Sequence, residues 1–587
     1  MVKSSPHFLA ASLRPDMLLN PLLFDEDPVQ SRQPSSGMSI HRSPPPAEEF
    51  ELTPADPAHK VFKTKLSVRF PQASADGLPS SFRVELGSQN VVLRRSADDP
   101  AVFSAAIDFD FETFAREQQR RADLVNQGRM IPVFDGRQFV RMDNIQFVDP
   151  QEIRQAVNLH QSLRFTPQIL EGADFNINPA QELMITDLSV VEDPNRTYDI
   201  CAPNPQGKMG AWTFGKLMTD MRNQGGDPSK MVEDWLDIWF DPNPPLINNF
   251  PLEIRGRMKS RILDHWQRLP NGELDLSQAP LRLLAIVNRI DLANPNEPAG
   301  EARFVFAMID PTCPAGVSQL MVGFTVILEY KVPISGCNNI LGWAEQWHSL
   351  GTFPLGGDEF NDHLEQITNQ FATAGVGSGP NGSALAQLRT NEQALDEKSG
   401  IQWEMRQFQL NPNGGELEET TVAQTPDDSL NNTPTLRDYI NQFDQQILQG
   451  QYTVPDTYEG VHFLGASPHQ NRVPMFWQSP PPVDNNARRA FSANTCNGCH
   501  GRETDTVFVH VAPRLSKEQS TLSGFLIGSG TLKQPSIETV NDPVDGSQHQ
   551  FGDLIRRQMY MSTLLQNGCS SGGVLEGLAS QPVNFVH

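Results

Sequence analysis

Positive charge is scarce in this 587-residue chain: 46 lysines and arginines stand against 70 aspartates and glutamates, a formal net charge of −24. A surface that acidic repels phosphate backbones and anionic lipid, which argues against nucleic-acid binding and against an electrostatic membrane dock. Long apolar runs are missing too. None approaches the ~20 residues that a spanning helix needs, so no transmembrane segment is expected. The longest candidate, "LMVGFTVILEY" (320–330), is short, ends near a charge and reads as a buried strand. The chain has no P-loop, no dinucleotide glycine fingerprint, no "GxSxG" elbow and no "HExxH". A secretory signal is also not visible. Such a signal needs ~7–15 unbroken apolar residues after a basic start, whereas Pro6, Arg14, Pro15 and Asp16 interrupt the apolar stretches here.

Cysteine is sparse as well, with six residues. A chain this long buries enough core not to need disulfides for folding. Cys313 and Cys337 bracket a strand-like run, and a bridge between them is open, although a fully extended strand would hold them too far apart. Cys201 and Cys569 are then left as a second pair. The alternative is that all four are buried free thiols.

What the chain has in plenty is proline (47) and glycine (42), hence loops, in an otherwise globular composition that is 38% hydrophobic and 20% charged. Its length suggests roughly three or four domains. Residues 1–58 are Pro/Ser-rich and read as a disordered leader. From 59 to 165, period-two runs such as "KLSVRF", "FRVEL" and "NVVLRR", separated by turn residues, predict an antiparallel β-sandwich with one helical insert, "FETFAREQQRRADLVNQG". Residues 166–482 mix both periods and predict an α+β domain on an antiparallel sheet. Its helices are expected in "DPSKMVEDWLDIWF", "PLEIRGRMKSRILDHWQRL", "GWAEQWHSL", "FNDHLEQITNQFATAG" and "ALAQLRTNEQALDEK". Its strands are expected in "LRLLAIVNRIDL", "GEARFVFAMID" and "MVGFTVILEY". In the first helix Asp227 caps and Pro228 takes the first position. The triple proline at 480–482 marks a boundary, leaving 483–587 as a small, mainly helical domain. The fold class expected is therefore multidomain.

Trp235, Trp239, Trp343 and Trp347 recur at helical spacing and read as core. Arg289, Asp291, Glu301, Arg303 and Glu329 interrupt the central strands. Paired strands gather them on one face, either as a polar pocket with acid and base groups or as a solvated face or ion-pair network.

The most informative stretch is "FSANTCNGCHG" (491–501), with Cys496, Cys499 and His500. Two cysteines two residues apart, followed at once by histidine, match what covalent haem attachment requires. The spacing spans the two vinyl groups across one helical turn, and the histidine reaches the iron. The reading is one covalent haem c per chain, with Cys496 and Cys499 as anchors and His500 as iron ligand. Rivals are a zinc site using Cys496, Cys499 and His510, which lacks a full set of four ligands, a dithiol redox pair, which lacks its βαβ context, and a site that binds nothing.

The segment "ARRAFSANTCNGCHG" resembles class I cytochrome c, in which a first helix enters the motif. The resemblance extends to Pro513 and Leu515 in "HVAPRLSKEQSTLSGFL". It implies a methionine as second iron ligand, and Met559 and Met561 stand at a plausible distance. They lie inside an apparent helix, however, where the family uses a loop. His510 is an alternative axial ligand or a structural histidine, and a site with no second ligand would favour peroxidase-like or ligand-binding chemistry. More widely, "ITDLSVVEDPNRTY", "MGAWTFGKLM", "RLLAIVNRIDL", "GEARFVFA", "FTVILEY", "LRTNEQAL" and "NFVH" resemble an uncharacterised family of large bacterial, myxobacterial-type proteins over about 180–587. That resemblance brings no activity with it.

The function expected is a haem c-binding protein with an electron-transfer or oxidoreductase role and an unidentified redox partner protein. The alternative is a secreted binding or structural protein whose motif binds metal or haem for stability. Because covalent haem attachment normally occurs outside the cytoplasm, a periplasmic or extracellular location is expected, through a different translation start or unusual export.

Overall fold

The computed structural model describes residues 176–568, except 223–224, 245, 294–298, 321–322, 394–400, 449, 472–474 and 507, together with the backbone of strands between 53 and 141. The chain divides into two compact units, residues 1–174 with 572–581, and residues 175–571 with 582–587.

In the first unit, β1 (Thr53–Asp56), β2 (Val61–Arg69), β3 (Ser81–Leu86), β4 (Gln89–Arg95) and β5 (Val102–Asp110) form one antiparallel sheet in the order β1-β2-β5-β4-β3. A separate hairpin pairs β6 (Met130–Pro132) with β7 (Phe139–Arg141). β1 falls within the stretch expected to be leader. The helical insert expected at 111–128 lies outside the described residues.

The second unit is built on an eight-stranded sheet. Its main path runs β14-β13-β12-β11-β10-β9-β8, with β8 (Met184–Ile185), β9 (Leu281–Arg289), β10 (Glu301–Met308), β11 (Phe324–Lys331), β12 (Leu385–Gln393), β13 (Ile401–Leu410) and β14 (Leu417–Thr420). The short strand His469–Asn471 adds to β13. All pairings are antiparallel, as the α+β reading required.

The sheet has two unlike faces, and the register shows how. Because side chains alternate across a strand, Phe304, Phe306, Val326, Leu328 and Leu388 share one face. This face packs on α1 (Phe214–Met221), α2 (Pro228–Asp237) and α4 (Asp358–Ala372), with α3 (Cys337–Ser349) lying against α4. Trp235 and Trp239 meet edge to face at 5.5 Å and both reach Phe408, while Trp343 packs on Phe371 at 6.3 Å. The four tryptophans are fully buried core. α2 starts as expected: the Asp227 carboxylate accepts from the Ser229 and Lys230 amides, with Pro228 following it.

The opposite face carries Arg303 opposite Glu329, then Gln387 and Arg389, then Trp403 and Gln407. These side chains are not solvated. Arg289, Asp291 and Glu329 have 0% exposure, which removes the solvated-face reading and leaves buried ion pairs. The segment after the triple proline covers this face. Arg514 donates to the Leu283 carbonyl of β9 at 3.0 Å, Arg282 donates to the Arg514 carbonyl, and Gln519 donates to the Thr186 carbonyl at 2.7 Å. The boundary expected at 482 thus lies inside this unit.

Two expected helices are absent. Residues 385–393 form strand β12, because both neighbouring strands offer it a full ladder of partners. The helix expected over 251–269 shrinks to a single π-type turn, Lys259–Leu263. There Arg255 is pulled into a buried ion pair with Glu404, and its amide donates to the Trp239 carbonyl, which holds the chain extended.

The cysteine pairing also differs. Cys201 bonds Cys313, with Cα atoms 5.3 Å apart. The chain turns at Cys313 after β10, and extended β11 separates Cys313 from Cys337. Cys337 is itself disulfide-bonded, while Cys569 lies outside the described residues.

Candidate functional site

The motif sits on α6 (Cys496–Cys499), one helical turn reached from α5 (Asn485–Ala493). Local chemistry dictates this break. Thr495 caps α6: its hydroxyl accepts from the Gly498 amide at 3.1 Å and donates to the Ser492 carbonyl at 2.7 Å. Such a cap is worth ~1 kcal/mol. A Cβ on Gly498 would lie 1.9 Å from the Ser492 carbonyl oxygen, and one on Gly501 would lie 2.4 Å from that of Met475. Only glycine fits at either position. α5 is anchored by Arg488, which donates to Glu503 at 2.6 Å, to Asp542 at 2.9 Å and to the Trp477 carbonyl at 2.9 Å.

Residues at i and i+3 share a helix face, so Cys496 and Cys499 lie on one side of the turn. Asn497, between them, is tied elsewhere: it accepts from the Trp477 indole at 2.7 Å and donates to Asp428 at 2.7 Å. The Cys496 amide donates to the Thr425 hydroxyl at 2.9 Å. Both thiols are free and buried. Burial pushes both thiols above their ordinary range, Cys499 most.

His500 stacks on Trp403 of β13 with ring centroids 4.8 Å apart and 20° between planes. Its Nδ1 lies 2.6 Å from the Phe508 carbonyl. A carbonyl only accepts, so Nδ1 carries the proton and Nε2 the lone pair in the neutral ring. Burial holds the imidazole down at about 4, against the raising effect of that carbonyl, so the ring is neutral at pH 7.

His510 joins the site from the following loop. Its Nε2 is 3.7 Å from the Cys499 sulfur, its Nδ1 is 2.7 Å from the Ser523 hydroxyl, and its ring meets His500 edge-on at 4.5 Å. Burial, then His500, hold it well below its ordinary value. Met559 and Met561 are buried within α7 (Asp553–Asn567), a regular helix. Pro513 and Leu515 flank Arg514, the residue that docks this loop on β9.

The structure thus gathers Cys496, Cys499, His500 and His510. Trp403, Ser523, Thr425 and Phe508 also build the site, yet nothing in the sequence marks them, because each is brought in from another segment. Among the described residues no cluster of three or more His, Cys, Asp or Glu side chains is arranged to hold a metal ion. Among them also no helix is long and apolar enough to cross a membrane. The donor set fits a haem: two reduced thiols on one turn, followed by an imidazole whose Nδ1 is engaged, need only one or two protein ligands for the iron. No protein-family model, curated protein or solved structure matches the chain.

Proposed function

We propose that this chain carries one covalently attached c-type haem on Cys496 and Cys499, with His500 as iron ligand, and acts in electron transfer or as an oxidoreductase. The observation that carries this reading is redox selectivity among the cysteines. Cys201, Cys313 and Cys337 are in disulfides, while the two motif cysteines, only one turn apart, are thiols. When bound, the haem supplies one-electron chemistry tuned by its axial ligands and burial.

The chain's own groups do the rest. Thr495 and Gly498 hold both sulfurs on one face. The Phe508 carbonyl fixes the His500 tautomer, and Trp403 fixes its plane. Ser523 orients His510, which would be the second protein ligand to a bound haem, whereas Met559 and Met561 lie within the regular helix α7. Burial of all four groups excludes water. The sequence resemblance of "ARRAFSANTCNGCHG" to class I cytochrome c supports the same reading, with the N-terminal sheet as a separate domain. Disulfides persist in oxidising compartments, which favours a periplasmic or extracellular site of action with a redox partner protein there.

The test is an alkaline pyridine spectrum of protein co-expressed with a haem-maturation system. The expected result is the sharp reduced bands of a two-thioether haem, lost in Cys496→Ala/Cys499→Ala. Two titratable thiols and no such bands would overturn the proposal. A second reading is favoured by one observation, the full burial of the motif in the unit's core: the site serves stability in a secreted binding protein. A reversible redox couple decides for the first reading, and an inert site for the second.

A further inference from the structure

Beside the motif runs a continuous chain of buried charges. Arg289 grips Asp291 with two bonds of 3.0 Å from Nε and Nη2. Arg556 Nη2 bridges Asp291 at 2.8 Å and Asp553 at 2.9 Å. Arg557 Nη2 closes the chain on Asp553 at 2.6 Å. Each of these side chains is at most 4% exposed. Three guanidinium groups face two carboxylates, so the chain holds one positive charge in excess. Burying an uncompensated charge costs several kcal/mol, and Arg289 Nη1 with Arg557 Nε and Nη1 make no hydrogen bond.

α7, which carries Arg556 and Arg557, packs on the turn Gly524–Ile527, and the Phe525 ring of that turn lies 5.0 Å from the His510 ring. Arg557 is one of the charges felt by His510, and Asp553 is one felt by Cys499. After burial, Arg289 is the charge that most lowers the pKa of Arg557. A fork of planar N–H donors with spare positive charge matches a carboxylate, which accepts two such bonds side by side.

We propose that Arg289 and Arg557 form a buried carboxylate-binding site next to the Cys496/Cys499/His500 motif. The carboxylate comes either from a propionate of the haem, an arm that rests on the reading above, or from a small carboxylate substrate, which does not depend on it.

The test uses the full chain made without haem maturation. It is titrated with iron protoporphyrin IX and with its dimethyl ester, and separately heated in sodium acetate with chloride as control. If a propionate is the ligand, the free acid binds on the order of ten- to a hundredfold tighter than the ester, as two charge-assisted bonds imply. The preference falls towards one in Arg557→Gln and is largely kept in Arg557→Lys. If a substrate carboxylate is the ligand, acetate raises the unfolding temperature saturably in the parent, not in Arg557→Gln, and acid and ester bind alike. Equal acid and ester affinity together with no acetate effect in the parent overturns the proposal, whether or not the variants fold. Acetate binding without any covalent haem in matured protein would retire the haem reading and leave the carboxylate site standing.

Discussion

Asp291→Asn tests the buried charge chain most directly. Asp291 is fully buried and accepts three charge-assisted hydrogen bonds, two from Arg289 and one from Arg556. Burial alone would raise its pKa, but Arg289, then Arg556 and Arg557, outweigh this and hold the carboxyl far below the usual carboxylate range. An amide keeps the volume and one acceptor oxygen, yet it removes the charge and points two donors at guanidinium groups. Breaking one partner out of a buried ion pair costs ~3–5 kcal/mol, and the retained oxygen places this variant near ~3 kcal/mol. The sign with pH follows from the lowered pKa. The carboxylate's contribution is complete above the unfolded value near 3.8 and is lost as pH falls towards the folded value. The penalty of Asp291→Asn is therefore full at pH 7 and shrinks below about pH 4. Denaturant unfolding followed by tryptophan fluorescence reads this, since buried Trp212, Trp235, Trp239, Trp343, Trp347, Trp403 and Trp477 all lie in the same unit. A loss below ~1 kcal/mol at pH 7, the level of an exposed pair, or a loss that does not change between pH 7 and pH 3, would refute the reasoning.

Other outcomes follow from single contacts. His510→Ala should open the ferric haem protein to added imidazole or cyanide, seen as a spectral shift; identical titrations of parent and variant would remove His510 as axial ligand. Gly498→Ala should cost at least the ~1–3 kcal/mol of overpacking, because its Cβ would meet the Ser492 carbonyl at 1.9 Å; a soluble variant with unchanged melting temperature would count against the tight turn. Glu419, raised to about 8 chiefly by burial, stays protonated in the folded chain. Its ordinary value is 4.5, so stability should fall by a few kcal/mol as pH rises from 4.5 to 8, and Glu419→Gln should flatten that decline. Parallel pH–stability curves for the two proteins would show that Glu419 is ionised at neutral pH.

Local pattern alone determined a good part of this protein. Asp227-Pro228 and the spacing of Met231 and Trp235 announce α2, because capping and one apolar stripe are local properties. The apolar-rich runs of 281–292, 301–308 and 324–330, although interrupted by charges, announce β9 to β11 for the same reason. "CNGCH" carries its chemistry in five consecutive residues, and Thr495 and the two glycines that shape its turn lie beside it. Other features depend on partners distant in the chain. "LAQLRTNEQ" has helix-forming residues, yet it is a strand because β11 and β13 flank it. Residues 251–269 lose their helix to one buried arginine pair. Cys201 finds Cys313 only because the chain turns after β10. The charges of β9 to β11 fit a polar pocket, a solvated face or an ion-pair network alike in the sequence, and only the tertiary structure shows them buried beneath the motif segment, with Trp403 stacked on His500. Sequence spacing reports contacts within a helical turn or along a strand. Which buried charge meets which, across 265 residues between Asp291 and Arg556, is settled only when the sheet and its cover close on each other.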